Sequence, residues 1–506
     1  MGLDAERLGI SRINVGLLVL ISASVLTSII VGHRTSITPY SLFRSLILVN
    51  LLLIAYILLL RTMTVGILLY LYSLVFLNYY WRIVIPGTWP DLDIPRAMFV
   101  FIWLIFILEM LMGRKRLMPN GAIGVMMMLV MAAFILSMLL FAKQAIRAFL
   151  NGYVIPYAMF VVCKNLFRDR RTTEKFIFWL SVPLALYFPA TAIFEHYRIK
   201  ALVFPRYIGS AVVSSMTVTW GLRAVGAFIQ PCATGMAMIS IYVLAMYSLA
   251  KSKGAFAKVY AAIVTVLTPV GVFFTYTRSV YLGFVAALVI LVLYSRRLRV
   301  TALIVFVAVV LGVLGNWSNI VTPNREIGGV TERGTAQARV VLFNASIRMF
   351  LDHPWFGVGV DNFIKEAGPY IGQIRTTILG YKEAMLAQAT NQHNQLMSIL
   401  TQIGLVGFIP FVILYILLLR MLAKARSVNA DNYDSEFVIA VWGVMAAYIP
   451  QTLFIEPKYF EFMNTLPFMM MGIIAGGYER AKMQQVKGRR PGSRGHHESL
   501  QDGLPT

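Results

Sequence analysis

Apolar runs of bilayer length recur from one end of this chain to the other. They constrain its fold more than any other feature. A hydrocarbon core takes roughly 20 helical residues to cross. Fourteen segments come near that length, at about 13–32, 41–60, 62–80, 97–112, 121–141, 146–163, 175–193, 229–250, 259–276, 280–294, 300–315, 396–420, 436–454 and 463–479. In lipid every backbone polar group needs an internal partner, so spanning segments are helices or closed barrels. Barrel strands alternate apolar and polar residues, whereas these runs are continuously apolar. The composition agrees, with 58% hydrophobic and only 13% charged residues, against roughly 25% charged in soluble domains. The expectation is an all-α polytopic membrane protein with about 12–14 transmembrane helices, since the shortest runs can merge or re-enter.

The net charge of +23 invites a nucleic-acid partner, but the positions of the charges speak for a membrane instead. Twenty-six of the 45 Lys and Arg fall in alternate connections: Arg7 and Arg12, Arg61, Arg114–Arg116, Lys164–Lys175, Lys251–Lys258, Arg296–Arg299, Arg420–Arg426 and the segment from Arg480. The positive-inside rule places those connections in the cytoplasm together with both termini, and it requires an even number of spans. The first run, starting near Asn14, lacks a small-residue cleavage site after it and reads as a retained helix. Cys163 and Cys232 both lie in or beside apolar runs and indicate neither a disulfide framework nor a metal site.

These boundaries divide the chain into a transmembrane region over 1–315, a polar loop over 316–395, C-terminal transmembrane helices over 396–479 and a tail over 480–506. The tail, rich in Gly, Pro and polar residues, cannot bury a core and reads as disordered and cytoplasmic. Its adjacent His496 and His497 read as solvated rather than as a metal pair. The polar loop lies outside the cytoplasm. Within it AQARVVLFNASIRMFLD has helical composition, and Asp352-His353-Pro354 ends that helix because the residue before a proline is pushed out of the α region. Gly357 and Gly359 permit a tight backbone in the FGVGVDNF segment that follows. KEAMLAQATNQHNQLMSIL then leads helically into the next span and sets His393 near the membrane surface.

Chemistry-bearing residues gather at the same outer end. Arg223 stands in RAVGAFIQP before the span at 229–250, and Arg278 in a short turn, TYTRSVYLGF, between two spans. With Arg339 of the loop they suit an anion with several oxygens, because guanidinium forks bind phosphate in bidentate fashion and stay charged. Each alone is equally readable as a snorkelling interfacial residue. Arg348 is nine residues from Arg339, half a turn out of phase at ~100° per residue, so one of the two faces the site; Arg339 is the one expected there, because Arg348 is close enough to the helix end to cap its carbonyls. His393 reads equally as a general base near neutral pH and as a structural group at a helix start beside Asn394. His353 reads as a helix-capping or turn residue, and Asp361 and Asn362 as caps for a short helix from Phe363. No P-loop and no metal-ligand spacing occurs, and no cofactor is implied.

Taken together, these motifs resemble the O-antigen ligase and Wzy-type polymerase family of bacterial inner-membrane proteins. The loop pattern falls on Asp352, Pro354, Gly357, Gly359 and Phe363, then on His393, Asn394 and a helix ending at Gly404, Leu405 and Gly407. RAVGAFIQP resembles a second family element on Arg223, Gly226, Phe228 and Pro231, with Cys232 departing from the usual asparagine, and Arg278 resembles the family's Ser-Arg turn with Thr277 in place of serine. The resemblance implies a GT-C-like fold, a periplasmic catalytic loop and metal-independent glycosyl transfer. It implies that arginines hold the diphosphate of a polyprenyl-diphosphate-linked glycan and that His393 activates the acceptor hydroxyl. Asp352, Pro354, Gly357, Gly359, Asp361 and Asn394 would support the loop. The implied partners are undecaprenyl-diphosphate-linked glycan, a glycan or lipid A core acceptor, membrane lipid and other polysaccharide-assembly proteins. Transport of an anion or lipid-linked glycan is the alternative, disfavoured because span interiors are almost free of charge.

Overall fold

A computed structural model of the chain describes residues 63–77, 82–83, 92–113, 117–118, 121–141, 145–209, 223–315, 317, 333–372 and 392–488. The spans expected at 13–32 and 41–60, and the tail from 489, lie outside these residues. A helix stands at each of the other twelve expected spans: α1 (Met63–Phe76), α2 (Ile94–Leu111), α3 (Gly121–Leu140), α4 (Ile146–Leu166), α5 (Arg170–His196), α6 (Pro231–Leu249), α7 (Ala255–Phe274), α8 (Arg278–Tyr294), α9 (Arg299–Gly315), then, beyond the polar loop, α12 (Gln395–Ala425), α13 (Ser435–Thr452) and α14 (Glu461–Gly488). The loop supplies α10 (Arg333–Asp352) and α11 (Phe363–Gly372). Among the described residues seven helices are long and apolar enough to cross a membrane, and three shorter ones are apolar. The protein is an all-α polytopic membrane protein. Its described β-structure is a two-residue antiparallel ladder, β1 (Arg82–Ile83) with β2 (Leu92–Asp93).

Helix α6 is the axis of the bundle, with all 19 of its residues buried. A helix apolar all round has no polar face to turn to solvent and is stable only when surrounded. Helices α5, α7, α8 and α13 surround it, while α14 packs on α4 and α12 on α3. At the periphery α3, α7 and α9 turn Leu139, Phe256, Leu311 and Leu314 outward, as a lipid-facing surface requires.

Two helix irregularities have identifiable causes. In α4 the ladder widens to a π-helical stretch over Leu150–Val154, just before Pro156. Proline has no N–H for the carbonyl four residues back, which is that of Gly152. Asn464 Nδ2 donates to that oxygen instead, at 2.6 Å. In α12 the backbone breaks at Gly404, whose φ of 63° and ψ of −163° lie in a region essentially reserved for glycine. The sequence pattern predicts one span over 396–420; the structure breaks it at Gly404, and the helix then runs on to Ala425.

The break at Gly404 is where the loop docks. Val358 N and Gly359 N donate to Thr401 O and Gln402 O, each at 3.0 Å. Beyond the break, Leu405 N and Val406 N donate to Pro354 O at 2.9 Å and Trp355 O at 3.2 Å. The loop thus replaces the ladder bonds that the break removes, as buried backbone groups demand. The approach is too close for side chains: a Cβ at Gly404 would strike the Trp355 carbonyl, and one at Gly357 the Thr401 carbonyl. Loop helices α10 and α11 close a small core of their own from Val341, Leu342, Ala345, Met349, Val358, Phe363, Ala367 and Ile371. Tyr370 OH locks it by donating to Asp352 at 2.9 Å.

Basic segments that alternate along the sequence meet on one face. Lys164 pairs with Glu479 at 2.7 Å, Arg170 with Asp434 at 2.7 Å, and Lys251 with Asp434 at 2.9 Å. The docked loop lies at the other end of the helices.

Gly404→Ala forces an alanine into a conformation costing about 1–3 kcal/mol and pushes it into Trp355. The expected outcome is a lower melting temperature in detergent and faster proteolysis within 353–372. An unchanged melting curve and digestion pattern would refute the docking account.

Candidate functional site

The RAVGAFIQP segment is held by a carboxylate that sequence reasoning missed. Glu195, at the end of α5, accepts from Val225 N at 3.0 Å and Gly226 N at 2.9 Å. Gly226 takes a φ of +58°, which lets the segment close into a 3-10 turn over Gly226–Phe228. Gln230 then caps α6 by accepting from Cys232 N at 2.6 Å. Ala224 N donates to Phe274 O at 2.9 Å, which seats half-buried Arg223 beside the end of α7. A carboxylate at the polar end of an apolar span was the available signal, because such groups are costly near lipid and commonly have a task.

Arg223 and Arg339 come from separate elements and lie near one buried polar knot, and Arg278 is the sequence neighbour of one of its members. Its centre is Cys232, whose sulfur lies 3.8 Å from Ser279 Oγ. Ser279 donates to Gln451 Oε1 at 2.8 Å. Arg223 and Arg339 are both within electrostatic reach of that sulfur. Arg278 is the neighbour of Ser279 and opens α8, exposed at its first turn. Arg339, also exposed, lies over the Phe454 ring at 5.0 Å from its centroid, just past Gln451. Arg348, exposed near the far end of α10, is not part of this convergence.

His393 is held differently from the helical lead-in the sequence suggests. Gln392–Asn394 are not helical, and His393 is exposed with a φ of +52°. Asn394 is the N-cap of α12, its side chain accepting from Met397 N at 3.0 Å. Gln392 ties the turn to α10 through Ser346 Oγ at 3.3 Å and to α12 through Gln402 Nε2 at 2.9 Å. Ser346 is seven residues along α10 from Arg339, about 10 Å on a helix.

Asp361 does not cap α11. The backbone carbonyl of Asn362 receives Lys365 N and Glu366 N, while Asp361, with a φ of +58°, turns to a buried network. Its Oδ1 accepts from Tyr459 OH at 3.0 Å and lies 3.4 Å from Lys458 Nζ. Lys458, 2% exposed, pairs with Glu456 at 2.9 Å and donates to Ser398 Oγ and Gln402 Oε1, each at 3.2 Å. Burial opposes its charge, but facing Glu456, Tyr459 and Asp361 more than offset that and hold its pKa well above the ordinary lysine value. In the sequence these residues are only EPK in a short connection, with no periodicity to single them out. Pro354 contributes its carbonyl and Gly357 and Gly359 their close approach at the loop–α12 junction, where Asp361 also turns in, while Asp352 pairs with Tyr370 within the loop and Asn394 caps α12.

Lys458→Met leaves Glu456 buried without its cation, an effect of about 3–5 kcal/mol. The expected outcome is a large fall in melting temperature, partly restored by adding Glu456→Gln. Because the folded pKa is raised, the stabilisation is complete below the unfolded lysine pKa of about 10.4 and is lost only as pH climbs through the folded value. Melting of the wild type should therefore show no loss from this pair between about pH 6 and about pH 9. A double variant no more stable than the single one would contradict the pairing.

Residues 261–412 match the family model described as O-Antigen ligase. The match takes in Arg278, Arg339, the docked loop, His393 and the break at Gly404, and leaves out Arg223 and Lys458. No curated protein matches the chain. Over residues 261–412, then, this multi-pass membrane protein is similar to the O-antigen ligase family.

Proposed function

We propose that the protein is a glycosyltransferase of the bacterial inner membrane that polymerises or ligates a polyprenyl-diphosphate-linked glycan at the periplasmic face during surface-polysaccharide synthesis. The observation that carries this reading is the approach of Arg223 and Arg339, from separate elements, to one polar knot whose Ser279 follows Arg278 in sequence, beside the loop that presents His393. The arginines bind the donor diphosphate. The acceptor hydroxyl oxygen attacks the anomeric carbon while His393 takes its proton. The bond from that carbon to the diphosphate oxygen breaks, and the electron pair leaves on the diphosphate. Charge develops on that group as it departs, where fixed guanidinium charges lower the barrier most, so no metal ion is required for the step.

The histidine and the arginines contribute in separable ways. Replacing a general base costs typically 10²–10⁴-fold, so His393→Ala should abolish polymer or ligated glycan in cells while the protein still inserts at normal abundance. Arg278→Lys keeps the charge but loses the fork and should also fall well below wild type. Normal surface polysaccharide in the His393 variant would sink the assignment.

Sidedness is open to a direct test. Cysteines introduced at Trp355 and Lys365 should react with an impermeant maleimide in spheroplasts, and cysteines at Lys175 and Lys253 only after lysis. The reverse pattern would move the site to the cytoplasm.

A further inference from the structure

A second polar cavity lies on the loop-bearing side of the bundle, apart from the arginine knot. It measures about 100 Å³ and is lined by Asp93, Arg96, Arg147, Asn151, Tyr459 and Glu461, with aromatic rings among them. Asp93 and Arg96, both buried, pair at 2.8 Å, and buried Glu461 accepts from Tyr70 OH at 2.7 Å. Arg147 and Tyr459 are exposed and form the mouth. Phe228 and Phe462 stack with centroids 5.3 Å apart and supply an apolar wall.

Asn151 points to a ligand. It is only 5% exposed, it lines the cavity, and its amide oxygen has no hydrogen-bond partner among the described residues. An acceptor buried without a donor costs about 1–3 kcal/mol, and native proteins rarely carry such a group without cause. It stands in the π-helical stretch of α4, a local widening frequent at functional sites.

We infer that this cavity binds the hydroxyl-bearing edge of a sugar ring and is a docking point for the acceptor glycan, an inference that rests on the glycosyl-transfer reading. Asn151 Oδ1 needs a hydrogen-bond donor. Phosphate oxygens offer mostly acceptors, whereas a sugar hydroxyl donates and accepts at once. Two carboxylates face two guanidiniums, so the lining favours neither a bare anion nor a bare cation. The volume holds roughly three waters at about 30 Å³ each, which fits one edge of a ring and not a whole oligosaccharide. The position suits an acceptor. Phe228 ends the turn that follows Arg223, and Tyr459 OH holds Asp361 of the loop, so the cavity adjoins the site where the donor diphosphate binds.

The test uses full-length protein in detergent and saturation-transfer NMR with free glucose, galactose, N-acetylglucosamine and rhamnose. At least one sugar should receive transfer from the wild type and keep it when inorganic phosphate is added. That signal should drop to background in Asn151→Leu and in Arg147→Gln, each admitted only with a wild-type melting curve. Arg147 is at the exposed mouth, so its variant keeps the test open if Asn151→Leu fails to fold. The signal should persist in Arg278→Ala and His393→Ala, whose loss of polymer tests the transfer chemistry separately. No transfer from any sugar to the wild type, displacement by phosphate, or a wild-type signal retained in the cavity variants would each overturn the inference. So would undiminished polymer in cells carrying Asn151→Leu.

Discussion

Four backbone hydrogen bonds across the break at Gly404 hold the polar loop to the membrane bundle. They exist because α12 is interrupted: a continuous helix would spend those carbonyls and amides on itself. Glycine at 404 permits the break, and glycines at 357 and 359 let the loop backbone come within bonding distance. Gly404 and Gly357 are therefore required for contact between two main chains, each standing where the other leaves no room for a Cβ, while at Gly359 a Cβ would strike the Phe141 side chain. Main-chain bonding fixes the register of loop on helix more firmly than exposed side-chain contacts could.

The same junction is fixed a second time by charge. Lys458, Glu456 and Asp361 meet where water is excluded, and there a lone charge is far more costly than a paired one. Asp361 comes from the loop, and Lys458 and Glu456 come from the connection between α13 and α14. Ser398 and Gln402 bring in α12. Loop, broken helix and C-terminal hairpin share one set of partners, so none can shift without leaving a buried ion unpaired. His393 is set on this frame by Gln392 and Asn394, its two neighbours in sequence.

Donor-binding charge and acceptor-binding polarity occupy different places. The arginine knot gathers cations around Cys232 and Ser279, whereas the cavity at Asn151 balances carboxylates against guanidiniums. The first suits a diphosphate and the second a neutral ring, and Phe228 and Tyr459 link the two. Two ligands that must react but not exchange places are well served by pockets of opposite chemical preference.

The membrane class, the approximate position of each described span and the clustering of basic segments on one face were legible in the sequence. They follow from run length and charge, which need no tertiary information. The loop glycines, Pro354 and Asn394 were recognisable as motif residues, though not as the two sides of one backbone contact. Tertiary structure alone decided that the span expected at 396–420 is broken at Gly404. It also turned Asp361 away from α11 to Lys458. Lys458, Glu195 and Asn151 had no legible role, because what gives each its meaning is distant in the sequence: 30 and 31 positions for Glu195, 56 and 60 for the α12 partners of Lys458, and the other walls of a cavity for Asn151. A linear pattern records which face of a helix is apolar. It does not record which buried ion waits on the neighbouring helix, and it is the cost of leaving that ion or amide unpaired that decided the rest.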